Sequence, residues 1–221
     1  MPERKIEDRL REEYFDLLPE IRRVLWQLET EIRFRTLPIL HSLRPHEQLV
    51  IRSRIKDCES ALRRIVRQPV GTTPGQRTEG GEFVSDRPEE YSIRNLPDLA
   101  GVRVLVFPNE RLIEVDRVLR PHFQNWTCKP VKDESGAILA PKYFGHCDGA
   151  SEKILGEYQI APMLLGLFWE VEHPAMYKFR AVARFKMMRE RRANVERALS
   201  EFETGLEGFL RNRPQQISSF K

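Results

Sequence analysis

Residues 98–107, DLAGVRVLVF, contain the stretch on which the predicted fold depends. From Gly101 to Phe107 the residues are mostly β-branched or apolar, which predicts a short buried strand. Residues 108–122 follow with apolar residues at helical spacing. A strand that leads directly into a helix favours an α/β or α+β core.

Further strands and helices are predicted downstream of this strand. Three segments separated by turns that contain Gly and Asp have the composition of strands, and they are residues 125–132, 138–146 and 153–160. A helix is predicted from Pro162 to Lys178, and a strongly charged helix or pair of helices from Phe179 to Asn212. We therefore expect an α+β fold, in which helices flank a mixed sheet of about five strands.

Upstream of residue 98 the chain is predicted to be helical. Residues 3–33 form a long amphipathic helix, which Pro38 is expected to interrupt. A second helix is predicted from about Pro45 to Gln68, with an unusually basic polar face. Residues 71–97 are rich in Gly, Pro and charge, so they predict a long loop that could act as an active-site lid.

These segments predict one domain over residues 1–221. Within it we expect an N-terminal helical extension (1–44), a catalytic-like core (45–178) and a C-terminal helical extension (179–221).

Composition indicates a globular cytoplasmic protein. Hydrophobic residues make up 40% of the chain and charged residues 32%. No apolar run approaches the length of a membrane span, and the charged N-terminus lacks the apolar segment of a secretory signal, so no membrane partner is expected. Cys58, Cys128 and Cys147 lack the paired spacing of a zinc or redox motif, which predicts reduced thiols.

Basic residues concentrate in two stretches, although the net charge is only +4. The stretches are Arg52–Arg67 and Arg180–Arg197. Such stretches bind phosphates or nucleic acid, or else form the solvated face of a helix. In the first stretch, Lys56, Ser60 and Arg64 follow one another at offsets of four, which would place them on one helical face. With Arg54, this face could hold a triphosphate.

Two acids complete the candidate site. Asp98 stands just before the predicted strand, where an acid is often a turn cap. Glu157 and Gln159 alternate along a predicted strand and so project from one face, which could also be a solvent-facing edge. Because magnesium binds carboxylate and phosphate oxygens together, two acids facing a basic helix predict a magnesium triphosphate site.

Four short motifs occur in the order and spacing of one enzyme family. They are R-x-K-x-x-x-S-x-x-x-R at Arg54, Lys56, Ser60 and Arg64, D-x-x-G-x-R at Asp98, Gly101 and Arg103, E-x-Q-I at Glu157, Gln159 and Ile160, and E-H-x-x-x-Y-K at Glu172, His173, Tyr177 and Lys178. Over residues 52–178 the chain resembles the RelA/SpoT-type alarmone (ppGpp) synthetases, in particular their small members, with Arg64 where the family has Lys.

The resemblance implies a magnesium-dependent transfer of the ATP β,γ-pyrophosphate to the 3′-hydroxyl of a guanine nucleotide. It implies that Asp98 and Glu157 hold Mg²⁺, and that Asp98, Glu157 and His146 take part in catalysis. It also implies that Arg111 stacks on adenine opposite Arg54. The residues expected to bind nucleotide are Arg54, Lys56, Ser60, Arg64, Arg111, Lys132, Lys142, Tyr143 and Gln159.

The acceptor segment departs from the family pattern. Family members carry G-Y-R-S-L-H, whose Tyr stacks on the acceptor guanine, whereas residues 141–149 are PKYFGHCDG. His146 lies eleven residues before Glu157, which is the family spacing, but the same count puts Lys142 at the Tyr position. Only Tyr143 or Phe144 could supply such a ring here, and a shift of one residue would bring Tyr143 into the pocket. Without it, Lys142 takes that place and the base selectivity changes.

Three alternatives to alarmone synthesis follow from this departure. One is a toxin-like relative that acts on an adenine nucleotide or the 3′ end of tRNA. The second is a non-catalytic nucleotide sensor, and the third is a structural helical module in which the motifs are relics. ATP and a nucleotide acceptor are the expected partners; a homo-oligomer or RNA could use the basic stretch Arg180–Arg197.

Overall fold

The computed structural model describes residues 2–66, 91–133, 135–178 and 182–211. Its α-helices are α1 (Pro2–Ser42), α2 (Cys58–Val66), α3 (Glu110–Leu119), α4 (Met163–Lys178) and α5 (Val182–Arg211), and 3₁₀ helices span Ile93–Asn95 and Arg120–Phe123. Its strands are β1 (Gln48–Ile55), β2 (Ala100–Phe107), β3 (Thr127–Cys128), β4 (Val131–Lys132), β5 (Ile138–Ala140), β6 (Lys142–Gly145) and β7 (Gly156–Pro162). Most of the predicted lid, residues 71–90, lies outside the described residues.

The main sheet has five strands in the order β1-β2-β7-β6-β3. β2 and β7 are parallel, while the β1–β2, β6–β7 and β3–β6 pairs are antiparallel, so the sheet is mixed. The short strands β4 and β5 form a separate two-stranded sheet. The predicted α+β class with a five-stranded mixed sheet and flanking helices is therefore confirmed.

One face of the sheet is apolar and packs on α1 and α3. Val102, Val104 and Val106 of β2 project from it, because side chains two residues apart on a strand share a face. These residues join one core with a buried stripe of α1, which consists of Leu10, Tyr14, Leu17, Ile21, Val24, Leu28, Ile32 and Ile39. We call this face the α1 face. Because α1 supplies so much of the core, it is an integral layer of the fold.

The expectation that Pro38 interrupts the first helix is wrong. α1 is 41 residues long and includes both Pro19 and Pro38. An interior proline costs about 3 kcal/mol, since it removes one backbone hydrogen bond. On either side of Pro38, Ile32, Thr36 and Ile39 are at most 2% exposed, and this continuous burial against the sheet offsets the loss.

The predicted helix from Pro45 to Gln68 is also wrong in its first half. Residues 48–55 form β1, in which Leu49 and Ile51 are buried on the α1 face. α2 starts only at Cys58, after Asp57, whose carboxylate accepts a hydrogen bond from the Ser60 backbone N–H at 2.9 Å and so caps the helix. The basic residues up to Lys56 therefore follow the two-residue spacing of a strand and not the four-residue spacing of a helix.

The opposite face of the sheet is apolar in one half and polar in the other. Leu105 and Ala161 pack against Leu165 and Trp169 of α4, and Gly166 comes so close that a Cβ there would lie 2.2 Å from Leu105 Cδ2. Nearer the start of β2 and β7, the same face carries Arg103, Glu157 and Gln159. We call it the polar face, and it contains the candidate site.

α5 is fixed to the sheet layer by two buried glutamates one helical turn apart. Glu203 accepts a hydrogen bond from the Leu164 backbone N–H at 2.8 Å, and Glu207 accepts one from the Asn109 backbone N–H. These N–H groups lie at the starts of α4 and α3, where helices lack internal acceptors. Among the described helices, none is long and apolar enough to cross a membrane.

Two facing glycines, Gly145 of β6 and Gly156 of β7, allow Trp126 to lie directly on the sheet. A Cβ would lie 2.4 Å from the Trp126 ring at Gly145 and 2.9 Å from it at Gly156. Trp126 also contacts Phe123 and Tyr158, with ring centroids 4.8 and 5.6 Å away. This aromatic cluster therefore depends on the absence of side chains at both glycines.

We predict that Gly145→Ala lowers the free energy of unfolding by about 1–3 kcal/mol, because Trp126 has to move. The matched change Gly205→Ala, in α5, meets no atom within 4 Å and should raise stability by about 0.5–1 kcal/mol through its higher helix propensity. Urea denaturation measures the free energy of unfolding of both variants. Equal changes in the two would contradict the explanation that a Cβ at residue 145 displaces Trp126.

Candidate functional site

The strand register aligns the candidate residues in two rows across the polar face. One row contains Arg54, Gly101, Glu157 and Phe144, and the next contains Arg52, Arg103, Gln159 and Lys142. Both rows lie in the halves of β2 and β7 that precede the apolar contact with α4. The polar site, as we define it, consists of these two rows together with Lys56, Ser60, Arg64 and Asp98.

Asp98 holds two cations at the edge of the polar site. Its Oδ2 accepts hydrogen bonds from Lys56 Nζ and Arg64 Nη1, both at 2.6 Å. Asp98 is 3% exposed and Lys56 7%, so this is a buried ion pair. The Lys56 backbone N–H also donates to the Leu99 carbonyl at 2.9 Å, which joins the end of β1 to the start of β2.

The charges around Asp98 set the direction of its titration. Burial alone would raise the pKa of Asp98, but the nearby charges of Lys56 and Arg64 outweigh it, and the pKa lies below its usual range. Burial lowers the pKa of Lys56, and the Asp98 carboxylate only partly offsets this effect. Asp98 is therefore ionised near neutral pH and serves as the counter-ion of a desolvated cation pair.

Lys142 pairs with one carboxylate of the site and acts on the other only through its charge. Its Nζ lies 3.0 Å from Glu157 Oε2 and 4.8 Å from the centre of the Phe144 ring. The same ammonium group contributes to the lowered pKa of Asp98, after Lys56 and Arg64. The charge of Lys142 therefore acts on both Asp98 and Glu157.

Two buried carboxylate oxygens of the site retain hydrogen-bonding capacity. Asp98 Oδ1 and Glu157 Oε2 are inaccessible to solvent and have no hydrogen-bond partner, because Lys142 forms a close ion pair with Glu157 without an aligned hydrogen bond. Within the described ranges, no three His, Cys, Asp or Glu side chains cluster as a metal cage. Two carboxylates without a cage fit Mg²⁺, which is commonly completed by phosphate oxygens and water.

The remaining cations of the polar site are differently engaged. Arg103 donates to Gln159 Oε1 at 3.0 Å and to the Gly166 carbonyl at 3.3 Å, and burial lowers its pKa. Arg54 is exposed and its side chain crosses Gly101, 3.7 Å from where a Cβ would stand. In the part of the chain that the structure describes, Arg52 and Arg54 form no ion pair, so their charges face outward.

Sequence reasoning missed three members of this site. The motifs contain Arg103 but give it no role, the basic stretch only begins at Arg52, and Phe144 is only an alternative ring to Tyr143. The spacing of two between Arg52, Arg54 and Lys56 was the available signal, since it is a strand period.

Ser60, His146 and Lys132 occupy three different surroundings. Ser60 lies in the first turn of α2, one turn before Arg64. His146 is exposed just beyond β6, and its carbonyl accepts a hydrogen bond from Trp126 Nε1 at 3.1 Å. Lys132 is exposed on β4, outside the five-stranded sheet. The roles assigned to these three residues stay predictions.

Tyr143 does not lie on the polar face, in contrast to the expectation that a one-residue shift would place it there. It stacks on Tyr158 on the α1 face, with ring centroids 4.6 Å apart, and its hydroxyl donates to Asp116. The register pairs Lys142 with Gln159 and Phe144 with Glu157, so these two residues project toward the polar site. Lys142 therefore takes the position that the sequence comparison assigned to it.

The structure does not bring Arg111 and Arg54 together. Arg111 donates a hydrogen bond to the Glu47 carboxylate at 2.6 Å. Glu47 directly precedes Gln48, which pairs with Phe107, the last residue of β2. Arg54 instead pairs with Gly101, six strand positions away, or about 20 Å. Arg111 also binds Glu114, and these two carboxylates raise its pKa. The expected adenine stack between the two arginines has no basis in this arrangement.

Taken together, the fold and site define a small α+β protein with a basic, carboxylate-containing site on one face of a mixed sheet. No protein-family model matches the sequence, and no curated protein matches it either. Solved structures do match, over nearly the whole chain.

The chain is similar to the small alarmone synthetase 1 from Bacillus subtilis, with a TM-score of 0.58 at 16% identity, over 91% of this chain and 100% of that one. The structure of that protein bound to AMPCPP matches at 16% identity with a TM-score of 0.57, over 90% of this chain and 98% of that one. The structure bound to its product pppGpp matches at 19% identity with a TM-score of 0.58, over 91% of this chain and 100% of that one. A GTP pyrophosphokinase family protein from Streptococcus pneumoniae matches at 20% identity, with a TM-score of 0.57, over 90% of this chain and 94% of that one. The fold is therefore that of the small alarmone synthetases, which confirms the fold implied by the sequence motifs.

The Asp98 ion pair generates a prediction for acid stability. Because its pKa is lower in the folded protein than the usual 3.8, ionised Asp98 contributes stability above about pH 4, and the contribution is lost as the pH falls through the lowered pKa. Asp98→Asn should lose about 3–5 kcal/mol at pH 7, since Lys56 remains buried without its counter-ion, and its stability should change less between pH 5 and 2.5. Urea denaturation across pH measures both effects.

The control for this experiment is Asp16→Asn, on the exposed surface of α1. It should keep both the stability and the acid dependence of the unmodified protein. An Asp98→Asn variant with an unchanged acid dependence would show that Asp98 is not the titrating group.

Proposed function

We propose that this protein is a magnesium-dependent pyrophosphokinase, which transfers the β,γ-pyrophosphate of ATP to the 3′-hydroxyl of a nucleotide, with a guanine nucleotide as the acceptor. The observation that carries the proposal is the polar site. There Arg52 and Arg54, which form no ion pair among the described residues, stand beside two buried carboxylates that each have an oxygen without a hydrogen-bond partner. The similar structures bound to AMPCPP and pppGpp support it, because they share the fold around this sheet. ATP and nucleotide acceptors are cytoplasmic compounds, so we place the protein there.

The donor would bind along β1 and the start of α2. Arg52 and Arg54 present outward charges at a spacing of two, and Arg64, which is paired with Asp98, lies near them at the N-terminal end of β2. Guanidinium groups bind phosphate oxygens in pairs of hydrogen bonds, so this row suits a triphosphate. The Ser60 hydroxyl, one turn from Arg64, supplies a further donor.

Asp98 and Glu157 would hold Mg²⁺ through Asp98 Oδ1 and Glu157 Oε2, the two oxygens without hydrogen-bond partners. When bound, the ion would neutralise charge on the phosphoryl oxygens. Lys142 would then leave Glu157 for a phosphate of the donor or acceptor, since one carboxylate oxygen cannot serve both cations closely. Lys56 and Arg64 keep Asp98 ionised and in place.

Glu157 would also accept the proton of the attacking 3′-hydroxyl. It lies in the middle of the polar face, between Arg54 in the row and Phe144 on β6. A base at this position is flanked by phosphate-binding groups on one side and by a ring on the other. The attacking hydroxyl would therefore lie between donor and acceptor sites, as in-line transfer requires.

A second candidate acceptor is an adenine nucleotide or the 3′ end of tRNA. The observation that favours it is the position of Tyr143 on the α1 face, which removes the ring that stacks on guanine in the resembling family. Phe144 then supplies the ring on the polar face, with Lys142 above it. A phenyl ring stacks on any base, so selectivity would come from neighbouring polar groups.

The test is incubation of the pure protein with Mg²⁺ and ATP labelled in its γ-phosphate, in separate reactions with GDP, GTP, ATP and tRNA. Chromatography should reveal label on the acceptor in at least one reaction. Label on a 3′-pyrophosphorylated derivative of GDP or GTP supports alarmone synthesis. Label on the corresponding derivative of ATP, separated from the labelled donor itself, or on tRNA supports the second candidate. Tight ATP binding without label on any acceptor would leave a nucleotide sensor.

We predict that Glu157→Gln lowers the transfer rate by at least about 100-fold. The neutral amide can neither accept the proton of the hydroxyl nor supply the negative charge that binds the metal ion. The matched control is Glu152→Gln, at an exposed position five residues earlier, which should transfer at the unmodified rate. Rapid-quench measurement of labelled product compares the two. Full activity of Glu157→Gln would exclude the proposed mechanism.

We predict that Phe144→Ala raises the acceptor KM by about one to two decades while the ATP affinity stays unchanged, since stacking on a ring is worth about 1–3 kcal/mol. Tyr143→Phe is the control: it keeps the ring on the α1 face, loses only the bond to Asp116, and should leave the acceptor KM unchanged. The acceptor KM of both variants is measured by steady-state kinetics at saturating ATP. Equal KM values in the two variants would exclude Phe144 as the stacking ring.

A further inference from the structure

A cavity lies on the α1 face, behind the strand that supplies Lys142 and Phe144 to the polar site. It has a volume of about 520 Å³ and is formed by α3, the 3₁₀ helix Arg120–Phe123, β3 and β6. Pockets for small ligands typically have volumes of about 300–1,000 Å³. Its lining contains no residue of the four sequence motifs and no residue of the polar site. It does contain Tyr143, which the sequence predicts to bind nucleotide.

The walls of this cavity combine aromatic rings with cations. Phe123, Trp126 and Tyr143 supply flat apolar surface, and Arg117 and Arg120 stand one helical turn apart at its edge. Among the described residues, neither arginine forms an ion pair. The one carboxylate of the lining, Asp116, already accepts the hydrogen bond of the Tyr143 hydroxyl.

The cavity is built into the fold rather than formed by loose surface side chains. Tyr143 is 4% exposed and stacks on the fully buried Tyr158, and Trp126 lies directly on Gly145 and Gly156. Trp126 Nε1 also donates to the His146 carbonyl. The aromatic surface is therefore held rigidly by the two strands that carry Glu157 and Phe144 on their other side.

We propose that this cavity binds an aromatic anion, with its rings against Phe123, Trp126 and Tyr143 and its anionic group at Arg117 and Arg120. Rings on aromatic surface bind by dispersion and apolar burial, and two unpaired guanidinium groups favour a phosphate, sulfonate or carboxylate. The volume accommodates a purine nucleoside monophosphate or a two-ring aromatic acid. The site is separate from the polar site, since the sheet lies between them.

Cys128 provides a local readout of occupancy. It is exposed, lines the cavity, and stands opposite Tyr143 in the register of β3 and β6. Cys58 is half-buried at the start of α2, outside the cavity. Iodoacetamide alkylation, followed for each cysteine by peptide mass spectrometry, therefore reports on the cavity at Cys128 and uses Cys58 as an internal reference.

The probes are AMP and naphthalene-1-sulfonate as aromatic anions, adenosine as an uncharged ring compound, and inorganic phosphate as an anion without rings. We expect AMP, the sulfonate or both to slow alkylation of Cys128 at least about fivefold at saturation, without slowing Cys58. Protection by AMP alone indicates a nucleotide site, and protection by the sulfonate indicates a site for aromatic acids in general. Absence of protection by both AMP and the sulfonate, or equal protection by adenosine or by inorganic phosphate, overturns the proposal.

Variants separate this cavity from the polar site. Arg117→Ala and Arg120→Ala, both at exposed positions, should each raise the half-protecting concentration about tenfold or more, as loss of a charge-assisted hydrogen bond does. Arg22→Ala, exposed on α1, and Arg54→Ala, in the polar site, should leave it unchanged. Protection that survives loss of both cavity arginines, or that disappears with Arg54, would contradict binding at this cavity. None of these outcomes depends on pyrophosphate transfer.

Discussion

The buried contact of Asp98 with Lys56 and Arg64 is the interaction on which the site depends. It ties three chain segments at one point, because Lys56 follows β1, Arg64 belongs to α2 and Asp98 precedes β2. Desolvated charges are costly unless they are paired, so each of the three groups requires the others. The contact thereby fixes the end of β1, with Arg54, beside the start of β2 and the carboxylate of Glu157. Asp98 is for this reason a structural residue as well as a candidate metal ligand.

Strand alternation assigns different residues to the two faces of the sheet. Successive residues of β6 and β7 project to opposite sides, so Lys142 and Phe144 meet Glu157 and Gln159 on the polar face, while Tyr143 meets Tyr158 among aromatic rings. A register different by one residue would exchange these sets and bury a lysine among apolar side chains. The aromatic cluster and its facing glycines thus determine which residues of β6 project toward the polar site.

The two faces are also directly connected, because β6 and β7 contribute side chains to both of them. Trp126 rests on Gly145 and Gly156, which are adjacent to His146 and Glu157 in the sequence. The cavity that Trp126 lines and the polar site consequently share a wall only one strand layer thick. α5 adds rigidity at the other end of the sheet, where Glu203 and Glu207 hold the first turns of α4 and α3.

The sequence by itself determined the α+β class, the central strand at residues 101–107, the helices that follow it and the identity of most polar-site residues, because apolar periodicity and short motifs are local properties. It did not determine that residues 48–55 form a strand, since a short alternating segment joined to a helix resembles a longer helix when only spacings of four are counted. Nor did it determine the face of Tyr143, the separation of Arg54 from Arg111, or the pairing of Asp98 with Lys56. Those features arise from register and from the burial of charge between segments distant in the chain, and only the tertiary structure sets both.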